Sequence, residues 1–289
     1  MSSTTLITSR DPKGQSFVNT VAAAYDKAGL DGERAQQLNE SKEFVPELRK
    51  LIRLCSLVNQ FANEEVVSTH DYYSGYKKPK PITAQVEILK EFFPELRTFD
   101  ESVATRDLPT DDVEGYFAIP RWERIASTYG EAVQRVLDII KQVRKGELYN
   151  CRKDKLGPQW LRQRACTVDA FKQLGDQQEG HDILVVPCQF GILHRGQSVR
   201  RAHAVMPVGE FGLDTFSAGI MLLTQPERLQ HLNDLGIDCA GDEYDPVIGG
   251  AFRWSPCFYF FYDVRLELGT NAVDHKSPYY GSASGFLTQ

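Results

Sequence analysis

The chain has 289 residues, of which 42% are hydrophobic and 25% charged, and its formal net charge is −6. These values are ordinary for a globular protein, and the negative charge argues against a general nucleic-acid binder. No apolar run reaches the ~18–20 residues of a membrane span, so we expect no membrane partner. The N-terminal segment lacks the apolar core of a signal peptide, which predicts an intracellular, cytoplasmic protein.

The first third of the chain has the apolar periodicity of helices. Helical spacing predicts helices over residues 16–29 and 44–58, with a short helix between them that begins at Asp31. A further helix is predicted over residues 82–93, and the acidic, turn-rich residues 98–114 are predicted to form a linker or surface loop.

The longest helical pattern covers residues 120–146, where Pro120 suits the first turn of a helix. A shorter helix is predicted over residues 166–175, closed by Gly175. Beyond residue 180 the apolar runs are short and β-rich. They are ILVVP (183–187), GIMLL (219–223), GIDCA (236–240) and CFYFFYDVRLEL (257–268), the last predicted to be a strand pair.

The alternation of apolar runs with short helical patterns between residues 182 and 246 favours a βαβαβ unit. We therefore predict an α/β fold, with mixed α+β as the alternative. A helical N-terminal region precedes a Rossmann-like domain with a mixed or parallel sheet. The predicted boundary separates the helical region and its linker, residues 1–110, from the α/β domain, residues 111–289.

The first of two polar loops in this unit covers residues 189–198. Ser198 is predicted to cap a helix whose unpaired N–H groups favour an anion. Arg195 would bind that anion, and His194 would act as an acid or base. The further candidate substrate-binding residues are Arg200, Arg201 and Thr224, the last of which begins a capping-box sequence, TQPE. His203, on the apolar side of the same helix, is predicted to be a core histidine. The alternative for the loop 189–198 is that its arginine forms an ordinary surface ion pair.

The second polar loop, residues 238–246, carries four acidic side chains beyond the third predicted strand. Asp242 and Glu243 are candidate catalytic groups that would activate water. Asp238, Asp242 and Asp245 are candidate ligands for a divalent metal such as Mg²⁺, and no other cofactor is indicated by the sequence. An acidic turn without function is the alternative, because Asp, Gly and Pro are also the residues that turns prefer.

A basic segment, residues 141–164, contains eight Lys or Arg residues and only two acids. It also contains Tyr149 and Trp160, so it has the ingredients of a single-stranded nucleic-acid site. It lacks the signature of a known nucleic-acid-binding motif, and a solvated surface is the alternative.

Five segments of the chain resemble uncharacterised proteins predicted from uncultured bacteria. They are YFAIPRWERIASTYGEAV (116–133), DILVVPCQFGILHRGQSVRRA (182–202), LLTQPERL (222–229), IDCAGDEYDP (237–246) and GSASGF (281–286). The resemblance covers most of the chain and implies one coherent unit. It implies no activity, cofactor or ligand, so it assigns no role to any residue.

Two classes of function fit these patterns. The first is an enzyme that acts on a phosphate-bearing or other anionic substrate, such as a nucleotide, at loops 189–198 and 238–246. The alternative is a non-catalytic module that binds nucleic acid or an acidic partner through residues 141–164. The enzyme hypothesis requires His194, Arg195 and the acids of residues 242–245 to converge in space. No pattern indicates the oligomeric state.

Overall fold

A computed structural model describes residues 8–56, 59–262 and 264–288 of the chain. The first seven residues, part of the segment without a signal-peptide pattern, lie outside this description. The chain forms two compact units, residues 1–58 and residues 59–289. The predicted boundary between residues 110 and 111 lies inside the second unit.

The described residues form nine α-helices and eleven strands. The helices are α1 (Pro12–Ala28), α2 (Gly32–Glu40), α3 (Phe44–Ser56), α4 (Ile82–Phe92), α5 (Glu101–Ala104), α6 (Tyr129–Val143), α7 (Ala165–Gln177), α8 (Val199–Val205) and α9 (Thr215–Thr224). The strands are β1 (Gly115–Pro120), β2 (Leu148–Asn150), β3 (Leu161–Gln163), β4 (Ile183–Gln189), β5 (Glu210–Gly212), β6 (Gly236–Asp238), β7 (Asp242–Tyr244), β8 (Trp254–Phe261), β9 (Arg265–Ala272), β10 (Tyr280–Ser282) and β11 (Ser284–Phe286). None of these helices combines the length and the apolar character that a membrane span requires.

The first unit contains α1, α2 and α3, and its helix ends follow the sequence signals. Gly29 ends α1 in the left-handed conformation, with φ at +59°, where glycine has no Cβ to clash. The Asp31 side chain accepts the backbone N–H of Arg34 and caps α2. The last two residues of the helix predicted over 44–58 lie outside the described residues.

The second unit contains both sheets. The smaller has the strand order β1-β4-β11-β5, and all of its pairs are antiparallel. The larger has the order β10-β6-β8-β7-β3, with β9 pairing both β8 and β2. Its β10–β6 and β2–β9 pairs are parallel and the others antiparallel, so this sheet is mixed. The predicted α/β class is confirmed, and the strand pair predicted over 257–268 is the antiparallel hairpin β8–β9.

The βαβαβ order predicted for residues 182–246 is wrong. The GIMLL sequence (219–223) lies inside helix α9, and β4 and β6 belong to different sheets. All ten residues of α9 are buried, so the helix has no polar face to reveal its period. It packs closely on α6, because a Cβ at Gly219 would lie 2.9 Å from Val136. A short apolar run of this kind has the same pattern as a buried strand.

Two predicted helix starts are also wrong. Pro120 is the last residue of β1, and α6 begins nine residues later with a capping box formed by Thr128 and Glu131. Thr224 ends α9 rather than starting the next helix, because its hydroxyl donates to the carbonyl oxygens of its own last turn. After it, Pro226–Arg228 form a single 3₁₀ turn.

The predicted helices over 82–93 and 166–175 are confirmed as α4 and α7. Helix α4 packs on β1 and α9, which ties residues 59–110 to the second unit. The predicted stop at Gly175 is wrong, since this glycine lies inside α7. A Cβ there would lie 2.3 Å from the Arg121 guanidinium, so the glycine provides space for that side chain.

Candidate functional site

The short antiparallel ladder between β3 and β7 separates two different chemical environments. Arg162 pairs with Glu243 and Gln163 with Asp242 in the register of the ladder. Side chains alternate along a strand, so the two pairs lie on opposite faces. We call the first the arginine face, formed by Arg162, Arg164, Glu243, Arg200 and His203, and the second the acid face, formed by Gln163, Asp242, Asp214 and Tyr129.

Asp242, a predicted catalytic and metal-binding residue, is fully buried on the acid face. Its Oδ2 accepts the Tyr129 hydroxyl at 2.7 Å and the backbone N–H of Thr215 at 2.8 Å. Its Oδ1 has no hydrogen-bond partner among the described residues. Thr215 begins α9, so the carboxyl group also meets the positive end of the helix dipole.

Asp214 lies next to Asp242 and caps the same helix. Its Oδ1 accepts the backbone N–H of Ser217 at 2.7 Å, and its Oδ2 accepts the Gln163 side-chain amide at 2.6 Å. Burial raises the pKa of Asp214. Burial, and then the charge of Asp214, raise the pKa of Asp242 well above its ordinary value. Both carboxyls therefore hold a proton to a higher pH than an isolated surface carboxyl does.

A cavity of about 340 Å³ lies beside the acid face. Asp214 and Gln163 form part of its wall, and aromatic rings of Trp122, Phe171 and Phe216 form another part. Lys172 also lines it and is exposed, with no hydrogen bond or ion pair to any residue that the structure describes. The exposed acids Glu123 and Asp176 lie on the same wall. The cavity therefore offers one buried and two exposed carboxyls, an apolar surface, the Arg121 guanidinium and one unpaired ammonium group.

On the arginine face, Glu243 is shared by two guanidinium groups. Arg162 binds its Oε2 at 2.9 and 2.8 Å, and Arg164 binds its Oε1 at 3.2 Å. The predicted catalytic Glu243 is therefore held in ion pairs. The Arg162 guanidinium also lies over the Phe252 ring, 3.8 Å from its centroid.

A second cavity, of about 450 Å³, lies on the arginine face. It is lined by the predicted substrate-binding residue Arg200, by Glu243 from the second predicted loop, and by His203, but by no residue of the first predicted loop. His203, predicted to be a core histidine, is partly buried and lines this cavity. Its Nε2 lies 2.8 Å from the carbonyl oxygen of Ala240. Burial, followed by the charge of Arg164, lowers the pKa of His203 to about 4.

The predicted anion at the start of α8 is supplied by the chain itself. The Ser198 hydroxyl caps α8 by accepting the N–H of Arg201, and it donates to Glu64 Oε2 at 2.6 Å. Arg200 binds Glu64 through Nε at 2.8 and 2.7 Å, while Arg201 pairs with Glu65. The Arg200 hydrogen bond is the main reason that the pKa of Glu64 is lowered. These carboxylates occupy the position predicted for a substrate anion.

His194 and Arg195 are separated from the predicted acids. His194 is fully buried, and its Nε2 lies 2.6 Å from Glu210 Oε1, which also accepts the Ser284 hydroxyl. Arg195 is exposed. Neither residue lines the two cavities beside the β3–β7 ladder. Thr224, the remaining predicted ligand of the substrate, is fully buried with its hydroxyl bound to its own helix.

The three predicted metal ligands have separate partners. Asp238 Oδ1 accepts Asn271 Nδ2 at 3.3 Å, and burial raises the pKa of Asp238 to about 7. Asp245 Oδ1 accepts the backbone N–H of Val247 at 3.0 Å, which is the geometry of a turn. Within the described residues, no three His, Cys, Asp or Glu side chains converge to hold a metal ion.

The arginines of the basic segment 141–164 make intramolecular contacts. Arg144 donates to the carbonyl oxygens of Pro226 and Leu229 at 3.0 and 2.9 Å, and Arg152 donates to the Thr270 hydroxyl. The other two arginines hold Glu243. Binding of nucleic acid by this segment stays a prediction. Because its arginines contact other parts of the protein, fewer of its positive charges are available to phosphate groups than the sequence indicates.

Six residues of the two faces were not among the predicted catalytic, substrate-binding or metal-binding residues: Tyr129, Arg162, Gln163, Arg164, His203 and Asp214. The signal for Asp214 was an N-cap residue directly before the apolar run FSAGIMLL. The signal for Arg164 was the alternation in Arg162-Gln163-Arg164, which has the period of a strand. Tyr129 gave no such signal, because it fitted the apolar side of its helix.

The chain matches no protein-family model, and no similar curated protein or solved structure was found. This agrees with the sequence resemblance, which is to proteins without a known activity. No residue role is transferred to this chain from another protein.

Proposed function

We propose that the protein is an enzyme that performs acid–base catalysis on a small substrate in the 340 Å³ cavity beside the acid face. In this proposal Asp214 contacts the substrate, while Asp242 and Tyr129 are positioning residues. The observation that carries it is a pair of neighbouring buried carboxyls with raised pKa values, one of which lies on a cavity wall. Such groups are typical of catalytic acids and bases.

Burial, and then the charge of Asp214, raise the pKa of Asp242. In this proposal the two carboxyls therefore lose their protons in two steps, with one proton retained in between. A protonated carboxyl can donate to a leaving group, and an ionised one can accept a proton from water. Hydrolysis needs both events, so we propose a hydrolytic reaction.

The cavity wall also defines the proposed class of substrate. The rings of Trp122, Phe171 and Phe216 suit an apolar body, and the unpaired ammonium group of Lys172 suits a negatively charged substituent. We therefore keep the predicted phosphate-bearing or otherwise anionic substrate. Its negative group is assigned to Lys172 instead of Arg195 and Ser198.

The proposal is tested by turnover of p-nitrophenyl acetate, p-nitrophenyl phosphate and p-nitrophenyl β-glucoside between pH 5 and 8. We expect wild-type protein to hydrolyse at least one of them and Asp214→Asn to lower kcat/KM by about 10²–10⁴-fold, the typical loss for a general acid or base. Asn is also a good N-cap residue, so α9 should be retained.

The matched control is Asp100→Asn, because Asp100 caps α5 through Ser102 and does not line the cavity. Its turnover should equal that of wild type. Equal rates for Asp214→Asn and wild type would contradict the proposal, as would the absence of turnover for all three substrates.

A further inference from the structure

The 450 Å³ cavity on the arginine face has unpaired donors on its wall. Arg164 contacts Glu243 through Nη1, which leaves its Nε and Nη2 without partners among the described residues. Arg200 uses Nε and Nη2 for Glu64, so its Nη1 is also free of any described partner. Guanidinium groups with one open edge are typical binders of carboxylate and phosphate groups.

His203 adds an acceptor beside these donors. Its Nε2 is hydrogen-bonded to a carbonyl oxygen, so Nε2 carries the proton and Nδ1 is a lone-pair acceptor. Nδ1 has no hydrogen-bond partner among the described residues, although the side chain is partly buried in the cavity wall. An acceptor next to two open guanidinium edges suits a ligand that carries both an oxyanion and a hydroxyl or amino group.

Two phenylalanines complete the wall. Phe61 and Phe252 both line the cavity, and each has an arginine over its ring, at 4.5 Å for Arg200 and 3.8 Å for Arg162. Phe61 has a φ of +58°, a conformation that non-glycine residues rarely adopt. The backbone at this point is held in a costly conformation that places the ring on the cavity wall.

We infer that this cavity binds a small oxyanion carried by a planar ring, either a phosphate monoester or an aromatic carboxylate. Arg164 and Arg200 hold the oxyanion, Nδ1 of His203 accepts a hydrogen bond from a ring substituent, and the phenylalanines contact the ring. This site lies on the other face of the β3–β7 ladder from the proposed acid–base site. It adds a ligand that the proposed reaction does not require.

The test is isothermal titration calorimetry of the full chain at low ionic strength, with AMP, 4-hydroxybenzoate and neutral adenosine as probes. We expect AMP or 4-hydroxybenzoate to bind at least 10-fold more tightly than adenosine. Binding of AMP alone assigns the oxyanion as phosphate, and binding of 4-hydroxybenzoate alone assigns it as carboxylate. Equal binding of adenosine, or no binding of either anion, would overturn the inference.

Arg162 and Arg164 provide a matched pair of variants. Both contact Glu243, but only Arg164 lines the cavity. Arg164→Gln should weaken anion binding by about 10–100-fold, as expected for a lost hydrogen bond to a charged group, and Arg162→Gln by less than about 3-fold. Equal weakening in the two variants would assign the effect to charge alone and reject the cavity.

A measurement on wild-type protein removes any dependence on the folding of variants. The Nδ1 resonance of His203 in ¹⁵N NMR should shift on addition of the anion that binds, and it should not shift with adenosine. An unchanged resonance at saturation contradicts the inference. Asp214→Asn should leave anion affinity unaltered, so failure of the acid–base proposal and failure of this one give different results.

Discussion

The two faces of the β3–β7 ladder differ in the groups that contact their acidic side chains. On the acid face, Asp214 and Asp242 are buried against hydroxyl, amide and backbone donors, with no arginine or lysine partner among the described residues. On the arginine face, Glu243 is bound by two guanidinium groups. Asp242 and Glu243 are adjacent in the sequence. The difference shows that strand alternation alone places two neighbouring acids in opposite electrostatic environments.

The two faces should respond to pH with opposite signs. A carboxyl whose pKa is raised on folding stabilises the native state at low pH, and this stabilisation is lost as the pH rises through the folded pKa. A histidine whose pKa is lowered on folding stabilises the native state above pH 6.5, and this stabilisation is lost as the pH falls. The pH profile of variants therefore tests the comparison directly.

The largest change in unfolding free energy over a defined pH range is expected for Asp238, a buried carboxyl outside the β3–β7 ladder. Its pKa rises to about 7 on folding, so wild type should lose about 3 kcal/mol of unfolding free energy between pH 4 and pH 7. Asp238→Asn removes this dependence. In urea denaturation across that range, the unfolding free energy of the variant should rise relative to that of wild type as the pH increases.

Asp242→Asn is the companion variant on the acid face. As the pH rises, its unfolding free energy should also increase relative to that of wild type, because burial and the charge of Asp214 both raise the pKa of Asp242. Glu243→Gln is the control for loss of a carboxyl on the opposite face. Parallel curves for Asp242→Asn and wild type would show that the acid face holds no extra proton.

His203→Gln should give the opposite slope. The pKa of His203 falls to about 4, so wild type should lose up to about 3 kcal/mol as the pH falls from 6.5 to 4. Gln keeps a donor for the Ala240 carbonyl oxygen and does not titrate. Its unfolding free energy should therefore approach that of wild type at low pH, and a constant difference would contradict the assigned protonation.

Local signals in the sequence predicted the parts of the fold that are decided locally. The caps at Asp31 and Ser198 and the glycine at the end of α1 were found because each depends on a few neighbouring residues. Helix α9 was missed because it is buried on every side, and a uniformly apolar run carries no period.

The candidate site was predictable only in part, for a physical reason. Asp242, Glu243 and Arg200 were identified by residue type, but the partners that decide their chemistry are distant in the sequence. Tyr129 is 113 residues from Asp242, and Glu64 is 136 residues from Arg200. Contacts of this length follow from the sheet topology, which local patterns do not encode.

A smaller effect is expected from Glu243→Gln. The variant leaves Arg162 and Arg164 without their carboxylate, and partly exposed pairs of this kind contribute about 1 kcal/mol or less each. The same change adds positive charge to the cavity on the arginine face. We therefore expect a modest loss of stability together with a several-fold gain in AMP affinity, measured by calorimetry. Weaker AMP binding would show that Glu243 itself positions the ligand.

The smallest effect is expected from Lys172→Gln, which tests the acid face at its exposed edge. Lys172 makes no ion pair with a described residue, so its removal should change the unfolding free energy by less than about 0.5 kcal/mol. If its ammonium group meets a charged substituent, KM for p-nitrophenyl phosphate should rise about 2–5-fold at low salt, and KM for neutral p-nitrophenyl acetate should not change. The difference between the two substrates should disappear at high salt, since an exposed charge is screened. Equal changes for both substrates would show that Lys172 shapes the cavity without contributing its charge.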